Sequence, residues 1–298
     1  LGLDIGGTST DVSIAQGDLF PQVDGHVGHI PLRTPMLPIE TVGAGGGSIA
    51  SIDDGGALRV GPESAGALPG PAAYGRAGAN AEATLTDANV VLGRIPHLLG
   101  GSMKLDHEAA RNAVQRLADQ LGSSLSETAE AIVAIAEATM VRACKNICMN
   151  QGVDPRKLAL VAFGGAGGLH GCAVAKELGI TTLVFPPDSG VLSAVGIQSA
   201  PLEHARSYAR YTHSNLFDED ALLREVFDHL RKAYEQSPQP SPARVQEFEI
   251  YFDCRLEGQS HDMAIPVTQL LDADVSREQV VRDMDWLKFN GGFRHALG

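Results

Sequence analysis

The first fourteen residues of the chain alternate between apolar and polar or small positions, apart from the pair Gly6-Gly7 that interrupts the alternation. Alternation with a period of two is typical of a half-buried β-strand, and glycines between two such segments are typical of a tight turn. The pattern therefore predicts a β-hairpin at the start of the chain. Its apolar positions are Leu3, Ile5, Val12 and Ile14.

The middle of the chain has the periodicity of helices. It predicts an amphipathic helix from about Asp106 to Leu121 and a longer helix from about Ser126 to Asn150. The longer helix is rich in Ala, Ile and Val, so we expect it to be buried between layers. A shorter helix begins near Thr84, with Thr86 or Asp87 expected as its N-cap.

A continuous apolar run at residues 157–163 predicts a central strand that is covered on both faces. The run leads into the glycine-rich turn 164–168 and then into a helix that ends at Leu178. A second buried strand is predicted at residues 181–185, which completes a β-α-β unit. A short apolar helix at residues 191–197 follows.

The character of the sequence changes after Pro201. Residues 1–201 are predicted to form an α/β domain, and residues 202–298 a smaller, partial α+β module. In the module, strands are expected at residues 203–212, 245–256 and 263–267, and helices at residues 218–236 and 276–289.

Glycine-rich loops are the main candidates for ligand binding. Because glycine has no Cβ, its backbone can approach a ligand closely, and consecutive N–H groups form a nest for an anion. In the hairpin these glycines are Gly6 and Gly7, while Thr8, Ser9 and Thr10 add hydroxyl donors. An ordinary Gly-Gly hairpin that binds no ligand is the equally weighted alternative.

Two further glycine loops follow along the chain. The loop at residues 41–48 includes Gly45, Gly46 and Gly47, and it could either approach a ligand or pack under the hairpin. We favour the ligand, because a glycine-dense loop costs conformational entropy with no packing in return. The third loop, Gly164-Gly165-Ala166-Gly167, connects a strand to a helix N-terminus, an arrangement in which a nucleotide can lie against the backbone.

Four carboxylates are candidates for catalysis. Asp4 and Asp11 lie at the ends of the two hairpin strands, where they could hold a hydrated Mg²⁺ beside a bound phosphate. Glu63 belongs to a proline- and glycine-rich segment, residues 61–75, that is expected to be an ordered binding or lid loop without regular structure. Asp87 has two possible roles, capping the short helix or facing the cleft, and capping is favoured.

Composition narrows the class of partner. The chain has 298 residues and a net charge of −13, which argues against a nucleic acid or an anionic membrane, since both require a basic surface. No apolar run approaches the length of a membrane span. The four cysteines do not suggest a disulfide framework. Cys144 and Cys148 are interpreted as small buried residues in a reduced, cytoplasmic setting rather than as metal ligands.

Seven short motifs follow one another along nearly all of residues 1–200. They are Asp4-Ile-Gly-Gly-Thr-Ser-Thr-Asp-Val12, Thr41-Val-Gly-Ala-Gly-Gly-Gly-Ser-Ile49, Val60-Gly-Pro-Glu-Ser-Ala-Gly66, Pro69-Gly-Pro71, Thr86-Asp-Ala-Asn89, Ala162-Phe-Gly-Gly-Ala-Gly167 and Gly190-Val-Leu-Ser-Ala-Val-Gly196. In this order they closely resemble the hydantoinase A / 5-oxoprolinase family of the actin-like ATPase superfamily.

The resemblance implies half of an actin-like (ribonuclease H-like) ATPase fold, with a mixed sheet and flanking helices, and ATP and Mg²⁺ as cofactors. It implies the opening of a cyclic amide, such as a hydantoin or 5-oxoproline, by phosphoryl activation of the carbonyl oxygen. The alternatives are a subunit of an ATP-dependent ketone carboxylase and, from another class, a nucleotide-binding scaffold without catalysis. A hydantoinase B-type subunit or domain is the expected partner in a homo- or hetero-oligomer. A further N-terminal portion with an opposing phosphate hairpin is expected to precede Leu1.

Overall fold

The computed structural model describes most of the first two hundred residues and two short strands further along the chain. The chain divides into two compact units, Leu1–Ala200 and Pro201–Gly298. The described residues are 1–16, 25–27, 30–32, 36–78, 80–200, 251–254 and 263–266.

Nine strands and five α-helices make up the described part of the first unit. The strands are β1 (Gly2–Ile5), β2 (Thr10–Ser13), β3 (Gly25–Val27), β4 (Ile30–Leu32), β5 (Ile39–Val42), β6 (Ser48–Ile52), β7 (Leu58–Ser64), β8 (Ala159–Phe163) and β9 (Thr182–Val184). The α-helices are α1 (Leu85–Val91), α2 (His107–Leu121), α3 (Leu125–Asn150), α4 (Gly167–Leu178) and α5 (Leu192–Ser199). Short 3-10 turns lie at Ala72–Tyr74, Leu99–Gly101, Pro155–Lys157 and Ser189–Val191.

Five of these strands form the central sheet, in the order β5-β2-β1-β8-β9. The neighbours β5, β2 and β1 are antiparallel, whereas β1, β8 and β9 run parallel to one another. The pair β1–β2 is the predicted hairpin, and α4 connects the parallel strands β8 and β9, as the predicted β-α-β unit requires. A mixed sheet with flanking helices confirms the predicted α/β class.

Helices α3 and α4 cover one face of this sheet. α3 packs against β2 and β5, and α4 packs against β1, β8 and β9. Leu3, Ile5 and Val12 are fully buried, and they form one apolar cluster with Ile132 of α3 and Val174 of α4. The period-two alternation in the sequence therefore has its physical origin in one covered face of the sheet.

The other face is less covered than the sequence predicts. In β8, Leu160 and Ala162 are buried, but Val161 and Phe163, which point the other way, are only partly buried. The expectation that this strand is covered on both faces is therefore wrong, because α4 packs on one side only. The strand at β9 was also expected to be buried, and its Val184 is 41% exposed.

Local capping signals set the ends of the two long helices. The Asp106 carboxylate accepts a hydrogen bond from the N–H of Ala109 at the start of α2, and Gly122 ends this helix with a φ of 62°. α3 begins with a capping box between Ser124 and Glu127. Both helices agree with the predicted positions to within one residue at each end.

Two other boundaries differ from the prediction. The N-cap of α1 is Thr84 and not Thr86 or Asp87, because Asp87 is the third helical residue and closes a capping box with Thr84. α4 begins at Gly167, inside the predicted glycine turn. Both differences lengthen the helices toward their N-termini.

The segment at residues 61–75 contains more regular structure than predicted. β7 extends through Pro62 to Ser64 because it pairs with β6, and a 3-10 turn lies at Ala72–Tyr74. The irregular part is therefore limited to residues 65–71.

In the second unit, the described residues are β10 (Tyr251–Cys254) and β11 (Met263–Pro266), which form an antiparallel pair. Both strands fall within strands predicted at residues 245–256 and 263–267. The other elements predicted for this module lie outside the described residues. Among the helices that the structure describes, none has the length and hydrophobicity needed to cross a membrane.

Candidate functional site

The tip of the β1–β2 hairpin carries backbone donors that are not used inside the protein. The turn is closed by the N–H of Gly6, which donates to the Ser9 carbonyl over 2.9 Å. The N–H groups of Gly7, Thr8 and Ser9 make no hydrogen bond with the described residues, and Gly7 and Thr8 are exposed. Three consecutive free N–H groups at an exposed turn are candidate donors to an anion.

The second glycine loop packs under this turn. Gly46 and Gly47 donate from their N–H groups to the carbonyls of Gly6 and Gly7, over 3.0 and 2.6 Å. A Cβ on Gly45 would lie 2.7 Å from the carbonyl carbon of Thr8. The glycines are therefore needed for close packing between two backbones, which is the alternative that the sequence left open and did not favour.

The prediction that Gly45, Gly46 and Gly47 donate to a cofactor does not agree with this packing. Their N–H groups are all used within the fold, since the remaining one, on Gly45, donates to the Ser48 hydroxyl over 2.8 Å. The predicted role of Thr10 as a hydroxyl donor to the ligand disagrees with the structure for the same reason. It is fully buried, and its hydroxyl donates to the Ala44 carbonyl. Both elements support the hairpin tip and do not offer donors to a ligand.

The second glycine loop also connects the hairpin to two other parts of the unit. The Gly46 carbonyl accepts a hydrogen bond from the N–H of Thr86 at the start of α1, over 2.8 Å, and the Gly47 carbonyl accepts one from Ala65, over 2.9 Å. The hairpin tip, the loop at residues 65–71 and the start of α1 are therefore held together through one backbone segment.

The structure places Glu63 and Asp87 in different environments. Glu63 is an exposed side chain of β7, and its carboxylate forms no hydrogen bond or ion pair with the described residues. Asp87 is fully buried, and its carboxylate accepts hydrogen bonds from the N–H groups of Ala72, Ala73 and Thr84 and from the Thr84 hydroxyl. Because every donor comes from the protein, Asp87 joins α1 to the 3-10 turn and does not reach the surface as a catalytic group.

Burial also shifts the pKa of this carboxylate. Burial raises the pKa of Asp87 above its ordinary value of 3.8, while the four hydrogen bonds oppose that shift. Desolvation is the larger of these two effects.

Asp4 and Asp11, in contrast, lie side by side. They are directly opposite each other in the β1–β2 register, so their side chains are on the same face and their Cβ atoms are about 5 Å apart. Neither carboxylate takes part in an ion pair with the described residues. Two like charges at this distance repel each other, and a cation between them would relieve the repulsion.

Hydroxyl groups hold both carboxylates. The Thr41 hydroxyl donates to Oδ1 of Asp11 over 2.6 Å, and the Ser193 hydroxyl donates to Oδ2 of Asp4 over 2.7 Å. Sequence reasoning missed Thr41 and Ser193 as site residues, although both lie in the family motifs. Thr41 could have been found from the pairing of β5 with β2, but no local signal connects Ser193 with Asp4.

The third glycine turn meets the hairpin at the carboxyl ends of β1 and β8. Gly164 has a φ of 82°, which only glycine adopts readily, and a Cβ there would lie 2.5 Å from the Ile5 carbonyl oxygen and overlap Oδ1 of Asp4. Gly164 and Ala166 are predicted to contact the cofactor, but their N–H groups donate to the carbonyls of Ser189 and Ile5, respectively.

The other two residues of this turn have different environments. The N–H of Gly165 makes no hydrogen bond with the described residues, and Gly165 is exposed. Gly167 is buried against the Ala162 backbone, and its N–H lies 3.4 Å from the Gly164 carbonyl. The turn therefore offers the Gly165 N–H beside Asp4, and its other residues fix the position of α4.

A buried histidine anchors the first turns of α4. His170 is fully buried, and its Nδ1 lies 2.9 Å from a carboxylate oxygen of Glu137 on α3. Its Nε2 lies 3.5 Å from the Asn89 amide nitrogen on α1. Because that nitrogen is a donor, Nε2 is assigned as the acceptor and Nδ1 as the protonated atom. His170 thus links three helices behind the glycine turn.

The residues present fit a magnesium nucleotide. Mg²⁺ is usually held by one or two carboxylates, several waters and the phosphates themselves, and Asp4 and Asp11 supply such a pair beside the free N–H groups. In the described part of the chain, no group of three or more His, Cys, Asp or Glu side chains is placed to hold a metal ion by itself. Cys144 and Cys148 are buried free thiols, as predicted.

The strand order and the site at the carboxyl end of β1 agree with the fold that the resemblance implies, half of an actin-like ATPase domain. The chain belongs to the hydantoinase/oxoprolinase family, whose sequence profile matches residues 1–206.

Three known proteins illustrate the similarity. 5-Oxoprolinase 1 of Arabidopsis thaliana is 36% identical over 258 residues, which are 78% of this chain and 20% of that protein. The crystal structure of the ATP-dependent caprolactamase from Pseudomonas jessenii is 31% identical, with a TM-score of 0.64 over 94% of this chain and 41% of that one. Nucleotide-free acetone carboxylase has a TM-score of 0.81 at 24% identity, over 98% of this chain and 43% of that one, a likeness that shows the fold. The chain thus spans less than half of each of these proteins.

Proposed function

We propose that this chain is the nucleotide-binding part of an ATP-dependent amidase that opens a cyclic amide of the hydantoin or 5-oxoproline type. One observation carries the proposal: the free N–H groups of Gly7, Thr8 and Ser9 stand beside the paired carboxylates Asp4 and Asp11. Donors for phosphate and ligands for its cation are thereby brought to one turn.

In this proposal, Gly7, Thr8 and Ser9 bind the phosphates through their backbone, and Asp4 and Asp11 hold Mg²⁺ through water. ATP would transfer its γ-phosphoryl group to the carbonyl oxygen of the amide, releasing ADP and making the carbonyl carbon open to attack by water. The C–N bond of the ring would then break, with the nitrogen taking a proton, and a second water would hydrolyse the acyl phosphate that remains, releasing phosphate. The second glycine loop keeps the turn in place. Because the donors are fixed before the nucleotide arrives, no reorganisation is needed when charge develops on the phosphoryl group.

The choice of a cyclic amide rests on sequence similarity. The chain is 31% identical to an ATP-dependent caprolactamase and 36% identical to a 5-oxoprolinase, both named for cyclic amides. Carboxylation of a ketone would use the same phosphoryl activation of a carbonyl oxygen and is the second candidate. A B-type subunit or domain, an oligomeric assembly and a cytoplasmic location remain predictions.

The direct test is phosphate release by the intact protein with its partner subunit. Hydantoins, 5-oxoproline and caprolactam are compared with ketones plus bicarbonate, each with ATP and Mg²⁺. We expect amide-dependent phosphate release. Release that depends on ketone and bicarbonate would favour the carboxylase instead, and ATP binding without any release would favour a scaffold.

The role of the hairpin is tested with Asp4→Asn. The amide has the shape of the carboxylate and can still accept from Ser193, but it carries no charge for a cation. We expect ATP turnover to fall on the order of 100-fold or more. The urea unfolding midpoint should not fall, because one of two repelling charges is removed. The matched control is Asp119→Asn, because Asp119 is an exposed carboxylate on α2 whose one hydrogen bond among the described residues comes from Gln115. Equal turnover of Asp4→Asn and the control would remove the hairpin from the mechanism.

A further inference from the structure

Ser193 makes a contact that the rest of α5 does not explain. Its hydroxyl donates to Oδ2 of Asp4 over 2.7 Å, although the two residues are 189 positions apart in the chain. Among the described residues, no other side-chain hydrogen bond joins α5 to another helix or strand. Ser199, on the same helix, donates instead to the Val195 carbonyl within α5.

The contact restricts the orientation of the Asp4 carboxylate. Oδ2 is held by Ser193, while Oδ1 lies against the backbone at Gly164, where a Cβ would overlap it. The carboxylate is therefore confined on two sides. A ligand group that is already oriented loses little conformational freedom when it binds a cation, so its affinity for that cation is higher.

Asp11 has a corresponding arrangement. Its Oδ1 accepts from the Thr41 hydroxyl, and Thr41 lies opposite Asp11 in the β2–β5 register. Each of the paired carboxylates thus has one hydroxyl donor and no ion-pair partner in the described part of the chain. Hydrogen-bond donors of this kind usually orient metal-binding carboxylates from behind.

We propose that Ser193 is a positioning residue for Asp4. Its hydroxyl holds the carboxylate in the orientation that binds the Mg²⁺ of Mg·ATP, and it thereby connects α5 to the nucleotide site. This inference rests on the proposed function, because it requires the hairpin to bind a magnesium nucleotide. Ser193 acts through Asp4 and has no contact with the reacting atoms.

The expected effect follows from the strength of such contacts. Loss of an outer partner of a metal ligand lowers metal affinity by about 10- to 100-fold. Ser193 is exposed, so water can replace part of its hydrogen bond, and the lower end of this range, about tenfold, is expected.

The test measures equilibrium binding of a fluorescent, non-hydrolysable ATP analogue to the intact protein, with and without Mg²⁺. Ser193→Ala is expected to weaken binding about tenfold in Mg²⁺ and to change it less than about twofold without Mg²⁺. Ser193→Thr keeps the hydroxyl and should bind close to the wild type. Ser199→Ala removes a hydroxyl from the same helix and should have no effect in either condition.

The possible failures are distinguishable. If the wild type binds the analogue and Ser193→Ala binds it equally well in Mg²⁺, the inference is wrong and the proposed function stands. An equal loss with and without Mg²⁺ also overturns the inference, since Ser193 would then act on the hairpin and not on the cation site. If the wild type does not bind the analogue at all, the proposed function fails and the inference fails with it.

Discussion

Gly45→Ala should weaken nucleotide binding although Gly45 is not proposed to contact the nucleotide. Gly45 lies in the loop beneath the hairpin, and its φ is not positive, so alanine is allowed by the backbone. The added Cβ would lie 2.7 Å from the carbonyl carbon of Thr8 and 2.8 Å from both the Gly6 oxygen and the Ser9 nitrogen. All three atoms belong to the backbone of the turn, so no side chain can rotate away to make room.

The magnitude follows from these contacts. Adding a methyl group to a well-packed site typically costs about 1–3 kcal/mol, and three backbone contacts below 3.0 Å place this substitution near about 3 kcal/mol. In a unit of this size, 1 kcal/mol shifts the melting temperature by roughly 2–4 °C. We therefore expect the melting temperature to decrease by roughly 6–12 °C. We also expect the turn to be displaced and to bind Mg·ATP more weakly.

The assay combines thermal unfolding with binding of a non-hydrolysable ATP analogue. Gly196→Ala is the matched control, because a Cβ on Gly196 meets nothing within 4 Å and alanine favours a helix. It should be as stable as the wild type or slightly more stable. Wild-type stability and nucleotide affinity in Gly45→Ala would refute the close packing of loop and hairpin.

Two further predictions concern buried ionisable groups. Asp87→Asn should destabilise the protein by about 2 kcal/mol at about pH 7, because the amide cannot accept from all of the donors around it, as urea unfolding would measure. The folded-state pKa of Asp87 is raised above 3.8, so the folded state binds more protons than the unfolded state. The difference in unfolding free energy between the wild type and Asp87→Asn should therefore decrease as pH rises from about 4. The opposite slope would contradict the dominant effect of burial. Burial raises the pKa of the Cys144 thiol to about 12, so at about pH 8 an alkylating reagent should label the exposed Cys172 and spare Cys144 until the protein unfolds. Mass spectrometry of the labelled peptides would show this, and equal labelling rates would contradict it.

The elements that the sequence predicts well depend on local signals. The hairpin follows from period-two alternation around Gly6-Gly7, and the ends of α2 and α3 follow from capping residues and a helix-ending glycine. The capping box of α1 was equally readable, since Thr84 precedes Asp87 by three residues. Its pattern also identifies Asp87 as a capping carboxylate in place of a catalytic one.

The burial of Thr10 could also have been inferred. Thr10 and Val12 are two positions apart on one strand, so they face the same side of the sheet, and Val12 is apolar. The structure buries both of them. The Thr10 hydroxyl, on that side of the sheet, therefore bonds within the protein and cannot reach a ligand.

The remaining differences depend on contacts between distant parts of the chain. Whether Gly45, Gly46 and Gly47 donate to a ligand or to the hairpin depends on packing across about forty residues, which glycine content alone does not reveal. The hydrogen bond from Ser193 to Asp4 forms only because α5 returns to the edge of the sheet where β1 ends. These contacts determine which donors in the three glycine loops remain free.

The central claim is that the free N–H groups at the hairpin tip bind the phosphates of ATP. A crystal structure of the intact protein with Mg²⁺ and a non-hydrolysable ATP analogue tests it most directly. We expect phosphate oxygens within about 2.7–3.2 Å of the backbone nitrogens of Gly7, Thr8 and Ser9, with Mg²⁺ held through water by Asp4 or Asp11. A bound nucleotide whose phosphates make no contact with these three nitrogens would contradict the claim.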